Sequence, residues 1–267
     1  MTELLSPAGG HEALIAAVQT GADAVYMGFG SFNARRSARN FTNEEFLAAV
    51  RYCHLRGVKV YLTLNTLVTD RELPEVAQTA KKASKYGVDA ILVQDWGVYE
   101  TLRSVVPDVP LHASTQMALH TLSGVQEAAA LGMTRAVLAR ELSREDIRTI
   151  VNASPIEIET FAHGALCMCY SGMCEMSAVI GSRSGNRGAC AQPCRLRYGW
   201  HGKADANPLS LKDANLAPYA ADMADLGVAC LKLEGRMKRP EYVAAVTSIY
   251  AALLREHRAP TADEQEK

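Results

Sequence analysis

The 267-residue chain has a formal net charge of −1, with 48% hydrophobic and 21% charged residues, ordinary for a globular protein and sufficient for one α/β barrel or two smaller domains. Near-neutral charge excludes a global basic field for nucleic acid or an anionic membrane, so any such contact must use a local patch. Met1–Pro7 is no secretory signal and no window approaches the roughly 18 apolar residues of a membrane span, so the cytoplasm is the expected setting.

The first apolar run, Glu3-Leu4-Leu5, leads into an amphipathic stretch, Glu12–Val18, that Gly21 ends. Ala24–Gly28 precedes a helix opening near Thr42, where Thr42 and Glu45 carry the capping-box pattern. Val58–Asn65 precedes a helix from about Glu72 to Tyr86, and Ala90–Asp95 precedes one from about Gly97 to Val105. Leu111–Ser114 is followed by a helix over about Thr121–Leu131, and Ala136–Leu138 by one with Ser143 as its N-cap. Ile156–Phe161 is a seventh strand, and Ala229–Leu233 with a helix over about Pro240–Arg255 completes the series.

Eight strands alternating with helices predict a parallel (β/α)8 TIM-like barrel over residues 1–257. An open doubly wound sheet is the competitor, and the missing G-x-G-x-x-G after the first strand argues against it. Only the interval between strands seven and eight lacks a clear helix. It spans roughly 65 residues, against a few in an ordinary βα loop. Residues 162–205 within it form a Gly-, Ser-, Cys- and Arg-rich insertion, expected to emerge at the catalytic face. Residues 258–267 read as a short charged tail.

Five of the seven cysteines fall in the insertion: Cys167, Cys169, Cys174, Cys190 and Cys194. Without an export signal they point to reduced thiols and metal rather than a disulfide scaffold. Cys53 and Cys230 sit inside predicted elements and read as small buried hydrophobes. The gaps run x6 from Cys167 to Cys174, x15 to Cys190 and x3 to Cys194. Structural zinc ribbons favour closely paired cysteines, whereas iron–sulfur clusters accept looser spacing, so spacing favours iron–sulfur over zinc. There are five candidates for four places, and Cys169 is the awkward one, because alternate residues need a tight turn to reach one small centre.

Polar residues at strand ends are pocket candidates: Asn65, Gln94 with Asp95, Ser114 with Gln116, Arg140 with Glu141, and Glu159. Glu234 and Arg236 follow the eighth strand, and His163 precedes Cys167 by four residues. Met176–Ala204 contains Arg183, Arg187, Arg195, Arg197, His201 and Lys203 and no acidic residue. With Arg35, Arg36 and Arg39 this makes a local basic patch suited to phosphate, or to balancing a negatively charged cluster. No H-E-x-x-H and no G-x-S-x-G is present.

Glu159–Cys167 (E-T-F-A-H-G-A-L-C) and Gly172–Ser177 (G-M-C-E-M-S) resemble the signature of peptidase family U32, the collagenase-like proteins. Gly188–Arg195, Lys232–Arg236, Glu3–Gly9 and Gly21–Tyr26 also look like family blocks, so the resemblance spans nearly the whole chain. It implies a TIM-like barrel and, in several members, a cysteine-bound iron–sulfur cluster, here of 4Fe-4S type. By position it implies Cys167, Cys174, Cys190 and Cys194 as the ligands, leaving Cys169 aside. The family name implies a peptidase, for which Cys167 and His163 would have to pair, a role that excludes Cys167 from a cluster. Better-understood relatives imply hydroxylation of a pyrimidine in tRNA or rRNA, with prephenate as a required metabolite in some, and this is the leading expectation. Glu159, His163, Glu234 and Arg236 are its catalytic candidates, and Asn65, Gln94, Gln116, Arg140, Arg195 and Arg197 its substrate-binding ones. The third alternative is an accessory subunit whose cluster stabilises a loop that docks a protein partner. Because relatives continue into further domains, the chain is expected to be the barrel portion of a longer protein.

Overall fold

The computed structural model describes residues 1–34, 41–200 and 202–266. Arg35, Arg36, Arg39 and His201 lie outside the described residues, as does the side chain of Lys203. In chain order the elements are β1 (Glu3–Pro7), α1 (His11–Gln19), β2 (Ala24–Met27), α2 (Asn43–His54), β3 (Lys59–Leu64), α3 (Leu73–Tyr86), β4 (Ala90–Val93) and α4 (Trp96–Val105). They continue with β5 (Leu111–Ala113), α5 (Leu122–Ala130), β6 (Arg135–Val137), α6 (Arg144–Ala153) and β7 (Glu157–Gly164). After β7 come α7 (Met176–Gly181), β8 (Tyr198–Trp200), β9 (Lys203–Ala206), β10 (Ala214–Asn215), α8 (Ala220–Asp225), β11 (Cys230–Leu233), α9 (Pro240–Glu256) and α10 (Ala262–Glu266).

Strands β1 to β7 pair in sequence, β7 pairs with β11 and β11 with β1, all in parallel. Eight strands therefore close on themselves with helices between them, the TIM-like (β/α)8 barrel that the alternation predicts. The local signals act as expected. Thr42 Oγ1 accepts from Glu45 N at 3.2 Å while Glu45 Oε2 accepts from Thr42 N at 2.9 Å, a capping box at the start of α2. Ser143 caps α6 in the same reciprocal way with Asp146.

Alternate strand positions face opposite sides. Leu4, Val25, Val60, Leu62, Ile91 and Ala136 pack outward beneath the helices. Leu5, Tyr26, Tyr61, Leu92, Val137 and Cys230 point into the lumen. Buried charge shares that lumen. Lys232 Nζ donates to Glu159 Oε1 at 2.8 Å, and Arg135 Nη1 donates to Glu3 Oε1 at 2.7 Å and to Glu159 Oε2 at 3.4 Å.

Two departures from the sequence reading matter for the site. β7 continues past Phe161 to Gly164, because its last residues gain partners on both sides: His163 pairs with Leu233 of β11 and with Asn215 of β10. Glu159 is therefore in the lower half of its strand, not at the C-terminal end. The seventh interval also carries a helix, α8, whose six residues are too short to show a period. Among the described residues, no helix is long and apolar enough to cross a membrane.

Candidate functional site at the barrel mouth

The segment from Ala165 to Tyr198 crosses the C-terminal face of the barrel as a strap, fastened to three neighbouring loops. Gly172 lies against the loop after β5: a Cβ there would stand 2.4 Å from Gln116 O, and its φ of +80° also favours glycine. Ser171 N and Oγ donate to Glu141 Oε1 at 2.9 and 3.2 Å, tying the strap to the loop after β6. On the far side Leu67 N donates to Asn186 O at 3.2 Å, and Arg187 donates to Glu72 Oε1 and Oε2 at 2.5 and 3.0 Å. Gly164 packs against Glu234 beyond β11. Arg187 holds the Glu72 carboxyl down at about 2.

These fastenings use charges that the sequence offered to a phosphate. Arg187 is a latch, and Arg195 is a brace: its Nη2 donates to Leu166 O at 2.7 Å and its Nη1 to Ser210 Oγ at 2.9 Å and to Leu211 O. Arg195, a substrate-binding candidate of the sequence, thus has both terminal nitrogens bonded within the segment between β7 and β10. Arg183 donates to Ala189 O at 3.0 Å, and both it and Arg197 are exposed.

The strap gathers the insertion thiols on one side of the mouth. Cys167, Cys169, Cys174 and Cys194 are half-buried and Cys190 is exposed. Gln192 N donates to Cys190 Sγ at 3.3 Å, and Ser177 Oγ donates to the same sulfur at 3.7 Å. Burial pushes the Cys194 thiol up; Arg195 opposes that, and nearby Cys167, Cys190 and Cys174 reinforce it. Cys169 is likewise pushed up by burial and then by Cys174 and Cys167. All five thiols therefore share one neighbourhood. Among the described residues no three His, Cys, Asp or Glu side chains are arranged to hold a single metal ion. Cys190 Sγ is one sulfur of this group that already accepts a backbone N–H, from Gln192.

Below the strap lies a polar mouth. Arg236 Nη1 donates to Thr63 Oγ1 at 3.0 Å and Asn33 Oδ1 at 3.3 Å, with its guanidinium 5.5 Å over the Tyr26 ring. Asn65 Nδ2 donates to Ser114 Oγ at 3.1 Å, and Asn65 Oδ1 accepts from Ala34 N at 3.2 Å. Arg140 stacks 4.1 Å over Phe161, approaches Glu234 at 3.6 Å, and donates to Ala165 O at 3.4 Å. Gln94 and Gln116 line a side cavity between the loops after β3, β4 and β5. His163 packs against the rings of Tyr242 and Tyr250, and burial lowers its imidazole pKa against the pull of Asp213.

Four of the candidates, Asn65, Arg140, Glu234 and Arg236, thus lie at the mouth, Gln94 and Gln116 line the side cavity, and His163 stands beside the mouth. Glu159 is at none of these places; fully buried beneath Lys232, it belongs to the lumen. Sequence reasoning missed Lys232, whose Nζ sits 4.6 Å from the Tyr26 ring and 5.4 Å from Phe161, forming the floor. Its inward parity with Cys230 was the signal available.

The profile of peptidase family U32 matches residues 9–267. The tRNA hydroxylation protein P1 of Bacillus subtilis is 38% identical over 264 residues, which cover 94% of this chain and 63% of that protein. The 23S rRNA 5-hydroxycytidine C2501 synthase of Escherichia coli is 40% identical over 260 residues, 94% of this chain and 39% of that protein. A collagenase of Porphyromonas gingivalis is 35% identical over 283 residues, 98% of this chain and 68% of that protein. The chain thus spans less than two thirds of the first two. A solved U32 peptidase superposes with a TM-score of 0.61 at 15% identity, covering 88% of this chain and 93% of its own, a likeness of fold alone.

Proposed function

The chain belongs to peptidase family U32, and from that membership and its site we propose that it acts in hydroxylation of a pyrimidine in tRNA or rRNA, with an iron–sulfur centre held by the strap. One observation carries this reading: the thiols converge over a polar mouth at the face where barrel enzymes do chemistry. Two of the relatives named above are RNA hydroxylation proteins.

Cys167, Cys174, Cys190 and Cys194 would hold the centre, which is proposed as 4Fe-4S. When bound, it supplies single-electron chemistry that no side chain provides. Gln192 N–H at Cys190 Sγ would stabilise negative charge on that sulfur. Arg140 and Arg236 give the mouth two guanidinium groups, suited to a carboxylate-bearing metabolite such as prephenate or to an RNA phosphate. Lys232, tied to Glu159 and bracketed by Tyr26 and Phe161, fixes the floor under them.

The collagenase relative keeps a peptidase reading in view. It needs His163 to take a proton from Cys167, yet no hydrogen bond joins His163 to a thiol among the described residues, and Tyr242 and Tyr250 flank the ring. RNA nucleosides from a strain lacking the protein, analysed by mass spectrometry, test the proposal. One hydroxylated pyrimidine should vanish and return with the wild-type gene but not with Cys174→Ser. An unchanged nucleoside profile, or a colourless anaerobic preparation holding stoichiometric zinc, overturns it.

A further inference from the structure

Beside the barrel axis, at the edge of the strap, the loops after β3, β4 and β5 enclose a cavity of about 410 Å³. Leu67, Met117, Met173 and Trp96 give it apolar walls, and Gln94 and Gln116 bring two amides. Trp96 is 54% exposed although it opens a helix, and its ring meets Tyr99 edge-on at 6.0 Å. Gln94 Oε1 is buried and has no hydrogen-bond partner among the described residues. A buried acceptor left without a donor is uncommon in a folded chain and calls for one from outside. Met173 immediately precedes Cys174, so one wall belongs to the thiol strap. Of the two carboxylates in the lining, Asp95 accepts from Val98 N at 3.0 Å and Val68 N at 3.4 Å and so caps α4; the other is Asp70.

An aromatic face, apolar walls and a primary amide that both donates and accepts are what an unstacked nucleobase requires. Inside a duplex both faces of a base are stacked and its Watson–Crick edge is paired. We propose that this cavity receives one unpaired base of the RNA, stacked on Trp96 and bonded along its edge by Gln94, beside the cysteine strap. The proposal rests on the RNA hydroxylation reading and adds that the target base enters out of its stack, as enzymes acting on bases generally require.

The test is fluorescence anisotropy with labelled single-stranded oligouridylate, alone and annealed to oligoadenylate, on the anaerobically purified full protein. The single strand should bind more tightly than the duplex. Trp96→Ala should weaken single-strand binding at least about fivefold, the lower worth of one base–aromatic stack. Gln94→Ala should weaken it too, and neither should change iron content or circular dichroism. Equal affinity for both RNA forms, or unaltered binding by Trp96→Ala, overturns the proposal. Nucleoside analysis separates it from the parent reading. Hydroxylation restored equally by wild type and by the Trp96→Ala, Gln94→Ala double variant removes the cavity alone; no hydroxylation even with wild type removes the reading it rests on.

Discussion

Glu159 and Lys232 form a buried charge pair in a lumen that also holds Arg135 and Glu3 among Leu5, Leu92, Val137 and aromatic rings. Such a pair adds little net stability, but removing one partner strands the other charge. Glu159→Leu should therefore cost about 3–5 kcal/mol in urea unfolding. The double variant with Lys232→Met should recover much of that loss, since Arg135 keeps Glu3 and Glu157. A single variant within about 1 kcal/mol of wild type would show that water already satisfies Lys232. Glu3 sets the acid limit of the same network. Burial alone would raise its carboxyl, but hydrogen bonds and charge from Arg135, with Lys59 and Tyr61, reverse that and leave it lowered. A lowered folded pKa stabilises above the ordinary carboxylate range and is lost as pH falls below it. Neither role was legible in the sequence, because Glu159 stands in a motif whose strand end is misplaced without the pairings of His163.

The strap is where sequence and structure part most. Its cysteines and its position after β7 were readable, since spacing and strand order are local. Its fastenings were not: Arg187 meets Glu72 from a segment more than a hundred residues away, and only barrel closure brings the loops after β3 and β7 together. A basic run that reads as phosphate-seeking is largely engaged in holding itself down. Arg187→Ala should speed proteolytic cleavage within 182–195 while leaving the barrel intact. Because Arg187 holds Glu72 near 2, the latch persists above the ordinary carboxylate range and is lost only as pH falls toward that value. Wild-type cleavage by a protease active across pH 5–8 should thus show no step assignable to the latch; one that survives Arg187→Ala belongs elsewhere. Gly172→Ala tests the opposite edge. Its Cβ would collide with Gln116 O, a backbone atom that cannot swing aside, at a φ already unfavourable for alanine. With the proposed iron–sulfur centre in the strap, iron and sulfide per chain should fall, with far-UV circular dichroism unchanged; full loading would mean that the strap can shift without cost.

At the scale of the molecule, the barrel and the thiol group are separable. The core beneath the helices and the lumen together contain Cys53 and Cys230 but none of the five strap cysteines. The barrel was legible because seven of the eight intervals carry a clear helix, so errors at single strand ends do not alter the closure. The substrate was not, because the chain spans 63% and 39% of the first two relatives compared above, and substrate selection can depend on parts outside the mouth. Separability has a consequence for metal removal. Many small metal domains unfold without their ion because metal binding supplies their folding energy. Here that energy comes from a closed barrel, so changing Cys167, Cys174, Cys190 and Cys194 together to Ser should abolish visible absorbance and bound iron. The thermal midpoint should move by no more than about 2–4 °C, the shift expected for roughly 1 kcal/mol in a domain of this size. Chelation of the wild-type protein should reach the same midpoint. Global unfolding of the serine variant, seen as a lost far-UV spectrum, would place the strap inside the cooperative core and make the metal a structural element of the barrel.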